Sequence, residues 1–387
     1  MRLQLVDPSA FTPPYDRSLA AALARAGVEV QLVTSRFVYA PVPAAEGYTV
    51  DERFYRRATR PGRGDRSRRF AKLASHLPDM VRYANSRGRR AADLVHWQWV
   101  TFPGLDRWLV APPRRPPRGG EPSGRGIRQP RVMTVHYPLP ARRRALARQR
   151  RLLGAMDAVI AHSEHGAARI RDELGIDPGR VHVIPHGAFE HLTRVPDEAP
   201  LPDEMAGVEG PVVLFFGLLR PYKGIDVLLE AFREIDDAEL WIAGMPRMPL
   251  DSLREGARRT PGMVRIVPRF VPDREIAAYF RRADLVVLPY REIEQSGVLY
   301  TALAFGKPIV LSEVGGFAEL AAEGAARAVP PGDPVALRAA IRELLADDAE
   351  RERLAAGARA EAAGPHSWDE AARRTLALYR ELLAERA

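Results

Sequence analysis

Arg220 and Lys223 stand three residues apart in PVVLFFGLLRPYKGIDVLLE (211–230), between an apolar run and a segment of helical apolar spacing. A strand that hands over to a helix N-terminus offers free amides and the positive end of a helix dipole, and two cations there add to the attraction for an anion. The turn after Gly217 is therefore expected to hold phosphate; solvated loop charges are the other reading of the same residues. A second turn of this kind lies in YREIEQSGVLYTALAFGKP (290–308), where Ser296 and Gly297 precede an apolar helix and let backbone N–H groups come close to an anion. Glu294 in that loop is either a charge answering the helix dipole or a ligand contact. Gly244, closing ELWIAG, and Arg269 to Pro272, leading from VRIV into a helix expected to be capped by Asp273, are two further strand ends of the same half. Two side-chain cations with two or three amides would neutralise a diphosphate without a divalent metal. No carboxylate or histidine cluster occurs at metal-ligand spacing, and the adjacent pairs 236–237 and 347–348 read as solvated turns.

These residues need a scaffold that brings strand ends together. In the first half, strands are expected at 1–6, 28–34, 93–97, 131–136, 157–162 and 181–185, with helices at 15–27 (N-cap Asp16) and 164–174. Residues 114–130 read as an exposed loop from their proline, glycine and arginine content. Residues 193–208 have no apolar period and read as the linker between domains. Beyond it, strands at 212–216, 239–243, 264–267, 285–289 and 308–311 alternate with helices at 225–234, 251–258, 273–281, 297–305 and 317–323; helices at 334–345, 348–360 and 368–387 close the chain. Regular alternation in both halves predicts an α/β protein of two Rossmann-like, doubly wound parallel sheets, at 1–192 and 209–367. Ligands of such folds lie beyond the carboxyl ends of the strands, and with two such domains the expected site is a central cleft that they face.

Length and composition agree with that plan. A chain of 387 residues exceeds one ordinary core, and 46% hydrophobic content suffices for two. It has no cysteine, which excludes a disulfide framework and thiolate metal sites and suggests a cytoplasmic protein. No signal peptide and no transmembrane run is evident. The net charge of +9 is concentrated in RFYRRATRPGRGDRSRR (53–69) and continues through Arg82, Arg87, Arg89 and Arg90. This patch reads as a solvated loop, as peripheral contact with an anionic membrane at the inner face, or as a nucleic-acid surface; with no nucleic-acid motif present, the last is not expected.

The motifs FFGLLRPYKGIDVLLEAF, ELWIAG, RFVPDREIAAYFRRADLVVLPY, EQSGVLYTALAFGKPIVLSEVGG and HSWDEAARRTLALYREL, with TVHYPLP, AHSEHGAARI and HVIPHGAFE in the first half, together resemble the retaining glycosyltransferases of family 4, which have the GT-B fold. The resemblance spans essentially the whole chain, strongly over 181–316 and weakly over 11–109. It implies a metal-independent, hexosyltransferase-like enzyme that needs no cofactor and uses a nucleoside-diphosphate sugar as donor and an unidentified acceptor: a glycan, a lipid-linked sugar or a secondary metabolite. By position, Arg220 and Lys223 match the basic pair on the donor diphosphate, and Ser296, Gly297 and Val298 the helix start that caps it. Phe270 and Val271 match the segment beside the base, Gly217 and Gly244 the glycines that admit the nucleotide. His136 matches a strand-end histidine on the donor sugar. The closing helix, 368–387, is expected to rejoin the first domain.

The chain also departs from the family pattern. The two glutamates usually framing the second helix start fall on Ile293 and Thr301, leaving Thr301 an uncharged ribose contact and Glu294, or Glu292, the sugar contact from a neighbouring position. Thr12 to Asp16 replace the usual first-loop glycines, so Tyr15 and Asp16 are the acceptor candidates there. His96, Trp97 and Gln98 could floor an acceptor sugar or belong to the core. A nucleotide-sugar-binding pseudoenzyme or partner subunit, and a nucleotide-sugar epimerase of the same fold, are the alternative functions.

Overall fold

The computed structural model describes residues 1–60, 64–111, 129–136, 139–140, 142–293 and 295–386. Most of the arginine-rich loop expected at 114–130, and Glu294, lie outside the described residues. The chain divides into two compact units, one of residues 1–185 with 368–387 and one of residues 186–367.

In the first unit the chain runs β1 (Arg2–Asp7), α1 (Pro13–Arg25), β2 (Glu29–Ser35), β3 (Thr49–Phe54), α2 (Asp65–Ala84), α3 (Arg87–Ala91), β4 (Leu94–Trp97), α4 (Pro103–Val110), β5 (Arg131–Thr134), α5 (Arg143–Leu153), β6 (Ala158–Ala161), α6 (Glu164–Leu174) and β7 (Val181–Val183). The strands form one parallel sheet in the order β3-β2-β1-β4-β5-β6-β7. Central strands such as LVHW and AVIA are buried along their whole length, as parallel strands covered on both faces must be. β3, TVDERF, is the edge strand and keeps charged residues in partial contact with solvent.

Three expectations for this unit are corrected. Asp16 does not cap α1; Thr12 occupies that position, Pro13 starts the helix, and Asp16 is buried in the first turn. The cationic stretch 53–69 is not one loop, since its ends lie in β3 and α2. Arg89 is not a surface charge either. It is 8% exposed, donates to the Leu109 and Val110 carbonyls, and lies over the Tyr83 and Trp97 rings.

The second unit comprises β8 (Val212–Phe216), α7 (Ile225–Ala231), β9 (Glu239–Ala243), α8 (Asp251–Arg258), β10 (Val264–Val267), α9 (Asp273–Arg282), β11 (Leu285–Leu288), α10 (Gly297–Ala304), β12 (Ile309–Ser312), α11 (Phe317–Ala322), β13 (Arg327–Val329), α12 (Pro334–Ala346) and α13 (Asp348–Ala363). Its parallel sheet has the order β10-β9-β8-β11-β12-β13. In both sheets the strand order reverses beside the first strand, between β1 and β4 and between β8 and β11, where the loops at the carboxyl ends part and leave room for a ligand.

Residues 193–208 are part of the second unit. Met205 is buried, Ala199 donates to the Arg274 carbonyl, and Arg282 donates to that of Val208. The cap of α9 is Pro272, with Asp273 in the first turn. The last helix, α14 (Trp368–Ala384), belongs to the first unit and packs on α1. Arg25 pairs with Asp369 at 2.7 Å, and the Tyr15 and Trp368 rings meet edge-on.

Candidate active site

In the second unit the site grows from the apolar run VVLFF, which is buried throughout as β8. The chain then turns through Gly217 and a short 3-10 helix, Pro221–Lys223, before Gly224 starts α7. Gly224 has φ +67°, and a Cβ there would lie 1.9 Å from the Pro289 carbonyl oxygen. Gly244, at φ +149°, presses equally close on Gly217: its Cβ would lie 1.7 Å from the Gly217 carbonyl oxygen. Only glycine fits both approaches. They draw the ends of β8, β9 and β11 together at the point where the strand order reverses.

Lys223 is folded into this junction. It is 6% exposed, and its Nζ donates to the Tyr290 hydroxyl at 2.9 Å, which lies 3.3 Å from Ser296 Oγ. A Cβ on Gly217 would sit 3.3 Å from Nζ and 2.8 Å from Val298. One lysine thus touches the β8 turn and the β11 loop, and is linked to the start of α10 through the Tyr290 hydroxyl. Burial lowers its pKa to about 8, helped by the nearby Arg220 and opposed by Tyr222. Among the described residues no carboxylate lies within ion-pair distance of it. Arg220 is exposed and starts the 3-10 turn.

Ser296 caps α10 with its backbone alone, and the Gly297 and Val298 amides precede the first intrahelical bonds, made by Leu299 and Tyr300. Gly297 also packs closely: a Cβ there would lie 3.3 Å from the Phe189 ring. Behind it Tyr300 stacks face to face on His186, ring centres 4.0 Å apart, and bonds to Gln295. Thr301 is buried, and its hydroxyl donates to the Gly297 carbonyl at 2.9 Å. Phe270 and Val271 follow β10, two strands from β8, with Val271 buried and the Phe270 carbonyl accepting from Arg269.

In the first unit the loops beyond β1, β4, β5 and β6 converge on His136. Its Nε2 meets Gln98 Oε1 at 2.9 Å, its Nδ1 meets His162 Nε2 at 3.2 Å, and its ring stacks on Trp99 and takes the edge of Tyr15. Gln98 Nε2 lies 3.2 Å from His96 Nε2, which also meets the Thr134 hydroxyl, and His96 Nδ1 meets the Tyr379 hydroxyl of α14 at 2.6 Å. At the other end His162 Nδ1 donates to the Ile184 carbonyl at 2.9 Å.

Proton counting links the members of this chain. A carbonyl only accepts, so His162 carries hydrogen on Nδ1 and a neutral His162 must accept at Nε2. His136 then donates from Nδ1. It can also donate to Gln98 Oε1 only as an imidazolium; with the amide turned over, a neutral His136 accepts from the Gln98 amide instead. The charge of His136 and the orientation of Gln98 are coupled. His96, fully buried and near His162, has its pKa lowered to about 3, chiefly by burial, and is neutral.

These positions correct the acceptor candidates. His96 and Trp97 are fully buried, the one inside the hydrogen-bond chain and the other edge-on to Tyr83. Gln98 is buried beneath His136, and Tyr15 backs it. Asp16 lies beside Asp7, whose carboxylate accepts from the amides of Ser9, Phe11 and Thr12. Burial first and Asp7 second raise the pKa of Asp16, and the two carboxyls hold the β1–α1 loop. Tyr290 and Tyr379 carry no local signal in the sequence, because their partners lie 67 and 283 residues away.

The family model "Glycosyltransferase Family 4" matches residues 17–188 and "Glycosyl transferases group 1" matches residues 210–347, so each unit is matched by its own model. The chain belongs to the family 4 glycosyltransferases. It is a nucleotide-sugar-dependent transferase of a retaining family, hexosyltransferase-like and with the GT-B fold. A D-inositol 3-phosphate glycosyltransferase of Xylanimonas cellulosilytica is 29% identical over 96% of this chain and 92% of its own. Among solved structures, a sucrose-phosphate synthase from Thermosynechococcus elongatus superposes with a TM-score of 0.74 at 22% identity, covering all of both chains. HepE of Anabaena in complex with UDP gives 0.69 at 18% identity, covering 98% of this chain and 100% of that one. Among the described residues no group of three or more His, Asp or Glu is arranged to hold a metal ion, and no helix is long and apolar enough to cross a membrane.

Proposed function

We propose that the second unit of this glycosyltransferase holds the donor diphosphate between Lys223, Arg220 and the Gly297 and Val298 amides, with Ser296 at its side. The observation that carries this reading is Lys223: a buried ammonium without a carboxylate partner among the described residues, held by a neutral phenol next to a helix start. Such a cation is poorly solvated until an anion arrives, and it then faces the charge that develops as the glycosidic bond to the diphosphate breaks. Gly217 and Gly244 open the approach for the nucleotide, and Phe270 and Val271 flank the base. His136 is assigned to the donor sugar by correspondence with the family, and its hydrogen-bonded ring supports a positioning contact there. Glu294 is the proposed second sugar contact. No metal is required by this scheme, because the protein supplies the positive charge.

The test is turnover of labelled UDP-, GDP- and TDP-sugars, with and without acceptor. Wild type is expected to hydrolyse one donor slowly, and Lys223→Ala and Arg220→Ala to lose about 10²–10³-fold in kcat. Variants that turn over at the wild-type rate, or a wild type that binds donors without ever breaking them, would overturn the assignment. The X. cellulosilytica relative's name supports a phosphorylated polyol as the first acceptor to try.

A further inference from the structure

α2, which carries the end of the cationic stretch, is apolar on its outer side. On α2, Phe70, Leu73, Leu77 and Val81 follow one another at helical spacing and are 74%, 61%, 44% and 40% exposed. α4 packs beside α2 and adds Leu105 and Trp108, also about half exposed. The inner side of α2 is fully engaged: His76 joins the Tyr55 hydroxyl to Asp106, both at 2.6 Å, and Lys72 Nζ lies 3.5 Å from the Ser9 carbonyl. The stripe is therefore an outer face of a well-anchored helix. Contiguous apolar surface of this kind marks an interaction site.

Its charged rim selects the occupant. Arg66, Arg69 and Arg82 flank the stripe, Arg107 stacks on Trp108 at 4.0 Å, and the neighbouring α5, RRALARQRRLL, carries no acidic residue. Asp106 is buried and Asp79 is occupied by the Tyr55 amide and Arg82. A second copy meeting this face through the same patch would set cations against cations. Nucleic acid would take the arginines and leave Leu73, Leu77 and Val81 unused. An anionic bilayer satisfies both, taking apolar side chains between headgroups, Trp108 at the interface and guanidinium groups on phosphates.

We propose that the first unit docks on membranes rich in anionic lipid through the outer face of α2 and α4. Because Lys72 and His76 on the inner side of α2 reach the strand-end loops of β1 and β4, docking places those loops next to the lipid surface. The proposal gains its purpose from the glycosyl-transfer reading, but its test does not depend on turnover.

The full-length protein is sedimented with phosphatidylcholine vesicles and with phosphatidylcholine/phosphatidylglycerol vesicles. Binding is expected only to the anionic vesicles, weakening with salt. The double variant Phe70→Glu/Leu77→Glu should bind about tenfold more weakly or worse, while keeping the wild-type melting temperature and donor hydrolysis without vesicles. If that variant fails to fold, Arg66→Gln/Arg69→Gln should still lose preference for the anionic vesicles. No wild-type binding to anionic vesicles, unchanged binding in the folded variants, or a dimer in gel filtration that the double variant dissociates would overturn the proposal. Vesicle binding by a protein that hydrolyses no donor would leave it standing and refute the catalytic reading instead.

Discussion

At the scale of single residues, Lys223 and Tyr379 carry the sharpest expectations. The pKa of Lys223 falls from 10.5 to about 8 in the folded protein, so between these values the unfolded chain holds the proton that the native one has lost. Stability of the ligand-free protein should therefore rise with pH over that window, by a span of roughly 3 kcal/mol at most, and the rise should vanish in Lys223→Met. Denaturant titrations of the two proteins at pH 7 to 10 check this as a difference. Donor binding has the opposite slope, since a diphosphate favours the ammonium: affinity for the donor nucleotide should weaken progressively above pH 8, with proton uptake visible by calorimetry in buffers of different ionisation enthalpy. A pH-independent affinity from 7 to 10 would remove Lys223 from the phosphate site. Tyr379→Phe takes the hydroxyl from a fully buried His96 and should cost about 1–3 kcal/mol in denaturant unfolding. If the chain through Gln98 also sets the state of His136, the variant's kcat profile against pH will shift while its donor KM stays unchanged.

At the scale of elements, the glycine contacts that join strand ends are the rigid part of the site. Gly244→Ala would drive a methyl group into the Gly217 carbonyl, and Gly224→Ala into that of Pro289. Each should destabilise by more than about 3 kcal/mol or prevent folding, measurable as a lost or strongly lowered melting transition. The second sheet was legible almost strand by strand, including 212–216, 239–243 and 264–267 as observed, because parallel strands covered on both faces read as short apolar runs between glycines. β13 escaped notice at three residues, RAV. The first unit was read less completely. β3 is a charged edge strand, and α2 sets Phe70, Leu73, Leu77 and Val81 on its outward side, where a helix of ordinary amphipathic pattern is polar, so periodicity did not announce them. The two turns proposed to hold phosphate were legible as strand-to-helix turns because each is local in sequence. The Lys223–Tyr290 bond and the relay from Tyr379 to His136 were not, since no local pattern records a partner on another strand or at the other end of the chain.

At the scale of the whole molecule, the chain leaves the first unit at residue 185, builds the second, and returns with α14. Removing residues 368–387 should strip the partners of Tyr15, Arg25 and His96 at once, and the truncated protein is expected to be recovered with an unfolded first unit and a second unit that still melts cooperatively. Limited proteolysis followed by mass spectrometry distinguishes the two; equal protection of both would contradict it. The same feature bears on biosynthesis. Residues 186–367 are complete as soon as they clear the ribosome, whereas the portion made earliest must wait, its seven strands already translated, for the final helix to be released. Emergence of α14 thus acts as the last assembly step for the first unit, and any premature stop within α14 leaves that unit unfinished for chaperones and proteases to meet.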